Sequence, residues 1–425
     1  MLQLWIPPMH RSLPDRQTSG HEAVVPADGL IYSRTNPNGI ILSANTLFRT
    51  LAGYDLAELR GAPHKIVRHP DMPSGFFHLF WSLLKAGEPA IGYVRNRCRD
   101  GGYYWVLACA ISCDGGFFSI RIRASSPLFA TIREVYAALR QREENEGLTP
   151  EASAAALRAR LAELGFADYL EFMARALADE IRARNLAMRR QDDADGENLA
   201  RLLGLLADTQ KTQTMLVQQF SALMLLPVNM RLIAARLEPQ GGPISQISMN
   251  YKTASDEIAR RLSSFVLGEA DLSARMAAGV RRSLVLTHCA RLQAEVVARG
   301  NEEDRALDET ERQSEDRILR EVQASCTRQA QDALAGAARV AVDLSDASSD
   351  MRRMVLGLDT IRILGRVESR RDLMSEASMS ATIDRIDQVQ GEISDGLKML
   401  NDLTSAIQVQ LSMLQRPAAM VMAAE

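Results

Sequence analysis

The sequence predicts a small α+β domain, a five-stranded antiparallel sheet with helices, followed by a mostly α-helical antiparallel coiled-coil or bundle region. Three observations predict it. Of 22 Phe, Tyr and Trp residues, 16 lie in the first 136 positions, all three Trp among them. Large aromatics fill compact cores, so a mixed domain belongs at that end. Apolar runs there are short and separated by turn residues, which is strand patterning. Later, Ala, Leu, Arg, Glu, Gln and Met dominate, and apolar residues recur three and four apart, as in long packed helices.

The elements follow in order. Residues 30–35 and 39–43 are apolar runs around Asn36-Pro37-Asn38-Gly39, a turn signal. Residues 45–51 and 75–85 have helical spacing. Strands at 91–98 and 103–113 flank Arg99-Asp100-Gly101-Gly102, and 117–124 follows Asp114-Gly115-Gly116, two hairpin turns. This order, two strands, helices, then three strands, makes one domain of roughly 100 residues with helices covering one face of the sheet. Residues 126–144 are amphipathic. Thr149-Pro150 restarts a helix, with Thr as N-cap and Pro at the first position, and a further helix begins near residue 167. From residue 198 a seam runs through Leu199, Leu202, Leu206, Thr209, Gln213, Leu216, Phe220 and Leu223. Pro239-Gln240-Gly241-Gly242-Pro243 turns the chain, and Ile244, Ile247, Tyr251, Ala254, Ile258 and Leu262 carry the returning arm. The expected boundaries are an N-terminal extension at 1–27, the mixed domain at 28–125, connecting helices at 126–195, a helical bundle at 196–416 and a frayed tail at 417–425.

Composition narrows the function classes. The 425 residues carry 50 basic and 53 acidic side chains, a net charge of −3, so no polybasic field is available to hold nucleic acid. The N-terminal string MLQLWIPPMH lacks the basic start of a signal peptide. The most apolar stretch, 222–235, is interrupted by Pro227, Asn229 and Arg231, so no membrane span is expected. Five cysteines without a CxxC pair fit reduced thiols in a cytoplasm. Cys109 and Cys113 fall on one face of a strand and read as small buried hydrophobes.

Arg68, His69 and Asp71, stiffened by Pro70 and Pro73, stand just before the helix at 75–85. A basic pair and an acid beside a helix start can hold an anionic or hydrogen-bonding ligand. Equally, Arg68 and Asp71 can pair with each other and cap that helix. His64 and His69 also admit a haem ligand.

Residues 28–125 resemble the PAS domain, and most closely the flavin-binding PAS domain of bacterial aerotaxis receptors. The resemblance rests on Gly53-Tyr54, Gly61-x-Pro63-His64, Val67-Arg68-His69-Pro70-Asp71-Met72-Pro73, Gly87-Glu88-Pro89, Asn96-Arg97 and Tyr104-Trp105-Val106, with Phe77 and Trp81 at the family's aromatic positions. It implies an FAD pocket lined or organised by Asn45, Arg68, His69, Asp71, Phe77, Trp81 and Asn96, with the flavin reporting redox state to the helices downstream. Two departures stand out. Ala90 replaces the family's Trp after Gly-Glu-Pro, and Leu107-Ala108-Cys109 replaces Arg-Ala-Asn. They leave open FAD in a rearranged pocket, another ligand, or an empty domain that transmits or dimerises.

The turn region of the helical part resembles the signalling hairpin of methyl-accepting chemotaxis proteins, through Asn229-x-x-Leu232-x-Ala234-Ala235-Arg236-x-x-x-Gln240-Gly241. It implies a partner-binding tip at Asn229, Ala235, Arg236 and Glu238 for a chemotaxis histidine kinase, its coupling protein or other helical receptors. Ile233 and Glu238-Pro239 depart from the family there. An echo of the string, Ile363-x-Gly365-Arg366-Val367-Glu368, suggests that residues 198–300 and 330–414 are two halves of one repeat, an intramolecular bundle in place of a dimeric one. His288 reads as a packed histidine, with no nucleotide-binding loop after it. The expectation is a cytoplasmic, homodimeric, non-enzymatic signalling protein whose PAS domain senses redox state, oxygen or a small ligand and controls the bundle. The alternatives are a non-sensing PAS adaptor that docks partners and a flavin-dependent enzyme.

Overall fold

A computed structural model describes residues 20–190, 194–237, 242–266, 271–299, 309–369 and 376–415. The chain forms two compact units, one of Met1–Asp192 with Val285–Arg328, the other of Asp193–Leu284 with Gln329–Glu425.

The first unit is built on strands β1 (Ile31–Thr35), β2 (Ile41–Ala44), β3 (Ala90–Arg97), β4 (Tyr103–Cys113) and β5 (Gly116–Arg123). They form an antiparallel sheet of order β2-β1-β5-β4-β3. The five strands predicted from turns and alternation are the five observed. Gly116 sits where a Cβ would lie 1.9 Å from the Thr35 carbonyl oxygen, so the turn into β5 requires glycine. Between β2 and β3 come α1 (Thr46–Ala52), α2 (Leu56–Leu59), a 3-10 turn (His64–Val67) and α3 (Ser74–Lys85).

Strand register assigns the two faces, because cross-strand partners point the same way and chain neighbours point oppositely. Ser33, Ser119 and Ala110 are partners on one face, as are Ile31, Arg121 and Ala108. α1 and α3 lie over this face, where Phe48 meets Arg121, and Trp81 packs edge-on against Phe117. Arg34, Phe118 and Ile111 are partners on the opposite face, as are Tyr32, Ile120 and Cys109. The one-sided cover expected from the sequence is therefore incomplete: the second face is covered too. α4 (Pro127–Glu146) and α6 (Tyr169–Ala187) reach it through Phe129 and Phe172, which pack on Tyr93, with Phe129 also on Trp105. Val285–Arg328 reaches it at Arg34 and Cys109.

Two buried carboxylates explain why the helices after the sheet fold back on it. Glu180 of α6 accepts the backbone N–H groups of Ser125 and Ser126 at 2.7 and 2.9 Å, closing the start of α4. Glu143 of α4 accepts Ser74 Oγ–H at 2.8 Å, Gly75 N–H at 3.1 Å and Ser153 Oγ–H at 2.5 Å, joining α4, α3 and α5 (Pro150–Glu163). Burial alone would raise the Glu143 pKa, but these donors outweigh it and hold the carboxyl below its ordinary range. α6 also guards the edge strand: Tyr169 O–H donates to Ile91 O, and Ile91 N–H points at Met173 Sδ.

The second unit contains α7 (Ala194–Leu237), α8 (Pro243–Val266), the beginning of α9 (Leu272–Arg299), the later part of α10 (Glu309–Ser369) and α11 (Glu376–Gln415). It is an antiparallel helical bundle. The predicted seam is its core: Leu202, Leu206, Leu216, Phe220 and Leu223 are buried with Tyr251 and Ile258 of α8 and Ile383, Ile393 and Leu397 of α11. Four helices meet at Gly365 of α10, whose Cα faces Ile247, Ile383 and Met230 at contact distance for a Cβ. The polar seam positions are satisfied locally, Thr209 by the Leu205 carbonyl and Gln213 by Asp271. Among the described residues one helical stretch, Arg201–Ile233, is long and apolar enough to cross a membrane, and 33% of its apolar window is buried in the bundle. The sequence reading puts residues 196–416 in one helical region; in the fold, Val285–Arg328 groups with the sheet.

Candidate functional site

Beneath α1 and the 3-10 turn, the sheet carries a group of buried hydrogen-bond donors. Arg121 of β5 is 3% exposed. One amino group, Nη2, donates to Ser33 Oγ at 3.0 Å and to His64 Nε2 at 2.6 Å, and the guanidinium lies 5.1 Å from the Phe48 ring centre. The other, Nη1, is buried without a hydrogen-bond partner, and among the described residues Arg121 pairs with no carboxylate. Burial pushes its pKa down to about 10, so it stays charged at neutral pH. An arginine always donates, so His64 Nε2 is the acceptor and the ring proton sits on Nδ1. Burial, then the Arg121 charge, push the His64 pKa down to about 3.

Asn96 of β3 and Tyr104 of β4 are cross-strand partners on the same face, both buried. Their side chains lie close together, yet neither Asn96 Nδ2 nor the Tyr104 hydroxyl makes a hydrogen bond of good geometry. Burial raises the Tyr104 pKa well above its ordinary value. The face thus presents a buried cation without a counter-ion and two further orphaned polar groups. Unpartnered buried donors cost about 1–3 kcal/mol each, more when charged, and such a set suits a ligand rich in acceptor atoms.

The residues singled out in the sequence separate into several environments. Asn96 belongs to this group. Arg68 meets it only through the backbone bridge between Arg68 and Asn96. Its guanidinium instead stacks on Phe77 at 3.9 Å, where burial lowers its pKa and Glu143 partly restores it. His69 is 1% exposed and packs edge-on against Tyr103. Its Nδ1 accepts the Asp71 N–H at 3.2 Å, so Nε2 carries the proton and is buried without an acceptor. Burial first, then Arg95, push its pKa down to about 4. Asp71 is exposed and pairs with Arg95 at 2.6 Å, so its carboxylate points away from the interior. It does not pair with Arg68 as one reading of the string had it. Asn45 is occupied as a helix cap: Oδ1 accepts from Phe48 N–H and Tyr32 N–H, and Nδ2 donates to Leu30 O. Trp81 packs apart, in a cluster with Leu84, Ala90, Ala110 and Phe117, so the small residue at position 90 is already enclosed by large apolar side chains. The two histidines of the haem alternative are held separately, His64 Nε2 by Arg121 and His69 Nδ1 by the Asp71 amide.

Arg121, Ser33 and Phe48 were not singled out in the sequence. A signal was available in Ser119, Arg121 and Arg123, alternating polar residues of β5, but alternation alone does not say that helices lie over their face. At the hairpin end of α7, Asn229 and Ala235 are exposed. The Arg236 backbone is helical, and Glu238 lies outside the described residues.

Residues 41–116 match the family model described as the PAS fold. Over 117 residues the chain is 43% identical to the aerotaxis receptor of Escherichia coli K12, covering 26% of this chain and 23% of the receptor. The chain therefore spans about a quarter of the length of that relative. Solved structures similar to it include the PAS domain of a Colwellia psychrerythraea protein, at 20% identity over 22% of this chain and 85% of that one, with a TM-score of 0.19. Another is a light-oxygen-voltage domain from work with a flavin analogue, at 24% identity over 28% and 87%, with a TM-score of 0.21. With the strand order, the family match and the identity to the receptor together, the N-terminal part of this chain carries a PAS domain of the aerotaxis-receptor type.

Proposed function

We propose that the chain is a redox or oxygen sensor in which the PAS domain holds FAD and controls the helical bundle. The observation that carries this reading is Arg121, a buried cation with an unpaired amino group beside the orphaned Asn96 and Tyr104. An isoalloxazine ring presents carbonyl oxygens and ring nitrogens that accept hydrogen bonds, which is what these groups lack. Arg121, Asn96 and Tyr104 would hold its polar edge, and Phe48 would pack near it. FAD, when bound, would supply reversible electron transfer. Arg121 would favour added negative charge at that edge, while Ser33 and neutral His64 keep the guanidinium oriented. In the same reading the protein acts as a cytoplasmic homodimer, without turnover of a substrate, and the exposed end of α7 meets a chemotaxis histidine kinase or its coupling protein.

The test is an absorption spectrum of the protein as purified, before and after dithionite, followed by Arg121→Gln and Tyr104→Phe. Expected is a blue flavin envelope that bleaches, lost in Arg121→Gln and weakened several-fold on rebinding in Tyr104→Phe. A featureless spectrum after incubation with FAD would refute the flavin and favour the PAS adaptor. A Soret band would favour haem.

A further inference from the structure

Three of the five cysteines meet in the interior of the first unit. Cys109 of β4 points away from Arg121, because its chain neighbour Ala108 is the cross-strand partner of Arg121. The Cys289 thiol of α9 meets the Cys109 thiol, and Cys326 of α10 lies close to Cys289. The three are buried, at 4%, 2% and 3% exposure for Cys109, Cys289 and Cys326. Gln293, one turn after Cys289, directs its amide Nε2 at Cys326 Sγ at 3.8 Å, and its Oε1 is buried without a hydrogen-bond partner. The other two cysteines stand apart, Cys98 beside Asp100 and Cys113 beside Arg34.

A buried cysteine that packs alone is a small hydrophobe. A thiol–thiol contact between residues 180 positions apart is a different arrangement, because a sulfenic acid formed on either sulfur has the other within reach. The contact also separates the two roles. The hydrogen bond with Cys109, and then burial, raise the Cys289 pKa well above its ordinary value, so Cys289 is the sulfur that keeps its proton. Cys109 is left to attack. It stands where the aerotaxis-receptor pattern has Asn, so the pair belongs to this chain and not to the motif.

We propose that Cys109 and Cys289 are a hydroperoxide-responsive thiol pair that closes to a disulfide joining β4 to α9. The Cys109 thiolate attacks one oxygen of hydrogen peroxide; an S–O bond forms, the O–O bond breaks, and hydroxide leaves to take up a proton as water. Cys289 then attacks the sulfenic sulfur; the S–S bond forms, and the sulfenic oxygen leaves with the Cys289 proton as a second water. Two thiols are oxidised and one peroxide is reduced. Burial and a small thiolate fraction slow the first step, so the pair answers sustained exposure. The oxidant comes from solution, and the pair stands or falls independently of the flavin reading, which the absorption spectrum decides.

Mass spectrometry on the full-length chain tests it. Folded protein is treated with hydrogen peroxide, free thiols are blocked, and the chain is digested without reductant. Expected is a linked peptide pair containing Cys109 and Cys289 in most chains, separated by dithiothreitol. Cys109→Ala and Cys289→Ala are each expected to abolish it, while Cys98→Ala and Cys113→Ala leave it unchanged. Closure is also expected to raise the urea midpoint of the unit by roughly 1 M, because it removes the freedom of a long loop from the unfolded chain. The two pair variants should lose that rise. It is read on one protein before and after peroxide, so a general loss of stability does not imitate it. Linkage of Cys289 to Cys326, linkage between two chains, or sulfinic or sulfonic acid at Cys109 with no linked peptide would each overturn the proposal. A 109–289 link found only in urea, or full linkage with an unchanged midpoint, would overturn it as well.

Discussion

Mild acid should destabilise the PAS unit, because two of its histidines are held neutral. The folded pKa is about 3 for His64 and about 4 for His69, against an ordinary value of 6.5. A histidine whose folded pKa is depressed binds more protons when unfolded, so stability is full above about pH 7 and falls as pH drops through the unfolded value. At about pH 5 an unfolded histidine is almost fully protonated and these two are not, a difference of about 2 kcal/mol each. The His64 share is an upper value, because that residue is only half-buried. The carboxylates with lowered pKa, Glu143, Glu146, Glu151 and Glu295, contribute their loss mainly below about pH 4.5, outside this window. Urea titration followed by tryptophan emission reads this unit, because all three Trp lie in its sequence. Between about pH 7.5 and pH 5 the unfolding free energy should fall by about 3–4 kcal/mol, and by roughly half of that in His64→Gln. A flat profile over that range, or one unchanged by His64→Gln, would refute the assignment of both histidines as neutral in the folded unit.

Other perturbations test the packing. Ala90→Trp, which restores the family's residue, should destabilise the unit by about 1–3 kcal/mol, because Trp81, Phe117 and Leu84 already enclose position 90. Thermal melting checks it, and an unchanged Tm would show that the cluster has room. Glu180→Ala should cost about 2–3 kcal/mol by leaving the amides of Ser125 and Ser126 without an acceptor, and Glu180→Gln should cost less. Urea midpoints measure both, and equal losses would contradict the role of the carboxylate as acceptor. Gly116→Ala should prevent folding of the sheet or cost several kcal/mol, since its Cβ meets the Thr35 carbonyl at 1.9 Å. Circular dichroism and tryptophan emission together report it, and a native spectrum would refute the contact.

Much of the fold was legible because its signals are local. The turn residues at Asn36–Gly39, Arg99–Gly102 and Asp114–Gly116 separate the strands, and Thr149 and Pro150 stand where the start of α5 needs them. The seam from Leu202 to Leu223 foretold the bundle core because helical spacing carries its own geometry. The double-sided cover of the sheet was not legible. Glu315 and Arg34 lie 281 positions apart, and no periodicity names a partner at that distance. The site was legible only in part. Asn96 and the region around His69 came from the resemblance, but Arg68, His69, Pro70 and Asp71 read as one motif, and successive residues of an extended segment point in different directions. Asn45 carried a second, competing signal, since Asn immediately before a helical pattern is an N-cap.

The division of the PAS unit between two stretches of chain also governs how it is made. Strand β5 ends at Arg123, but the element that covers part of the sheet ends at Arg328. At about 5–20 residues per second, a ribosome needs roughly 10–40 s to travel between those points. Through that interval Arg34 and Cys109 lack the partners Glu315 and Cys289 that meet them in the finished fold. Nascent chains that stall after the sheet but before α10 would present these residues to chaperones, and truncations ending between the two would fold less completely than the length of the sheet suggests.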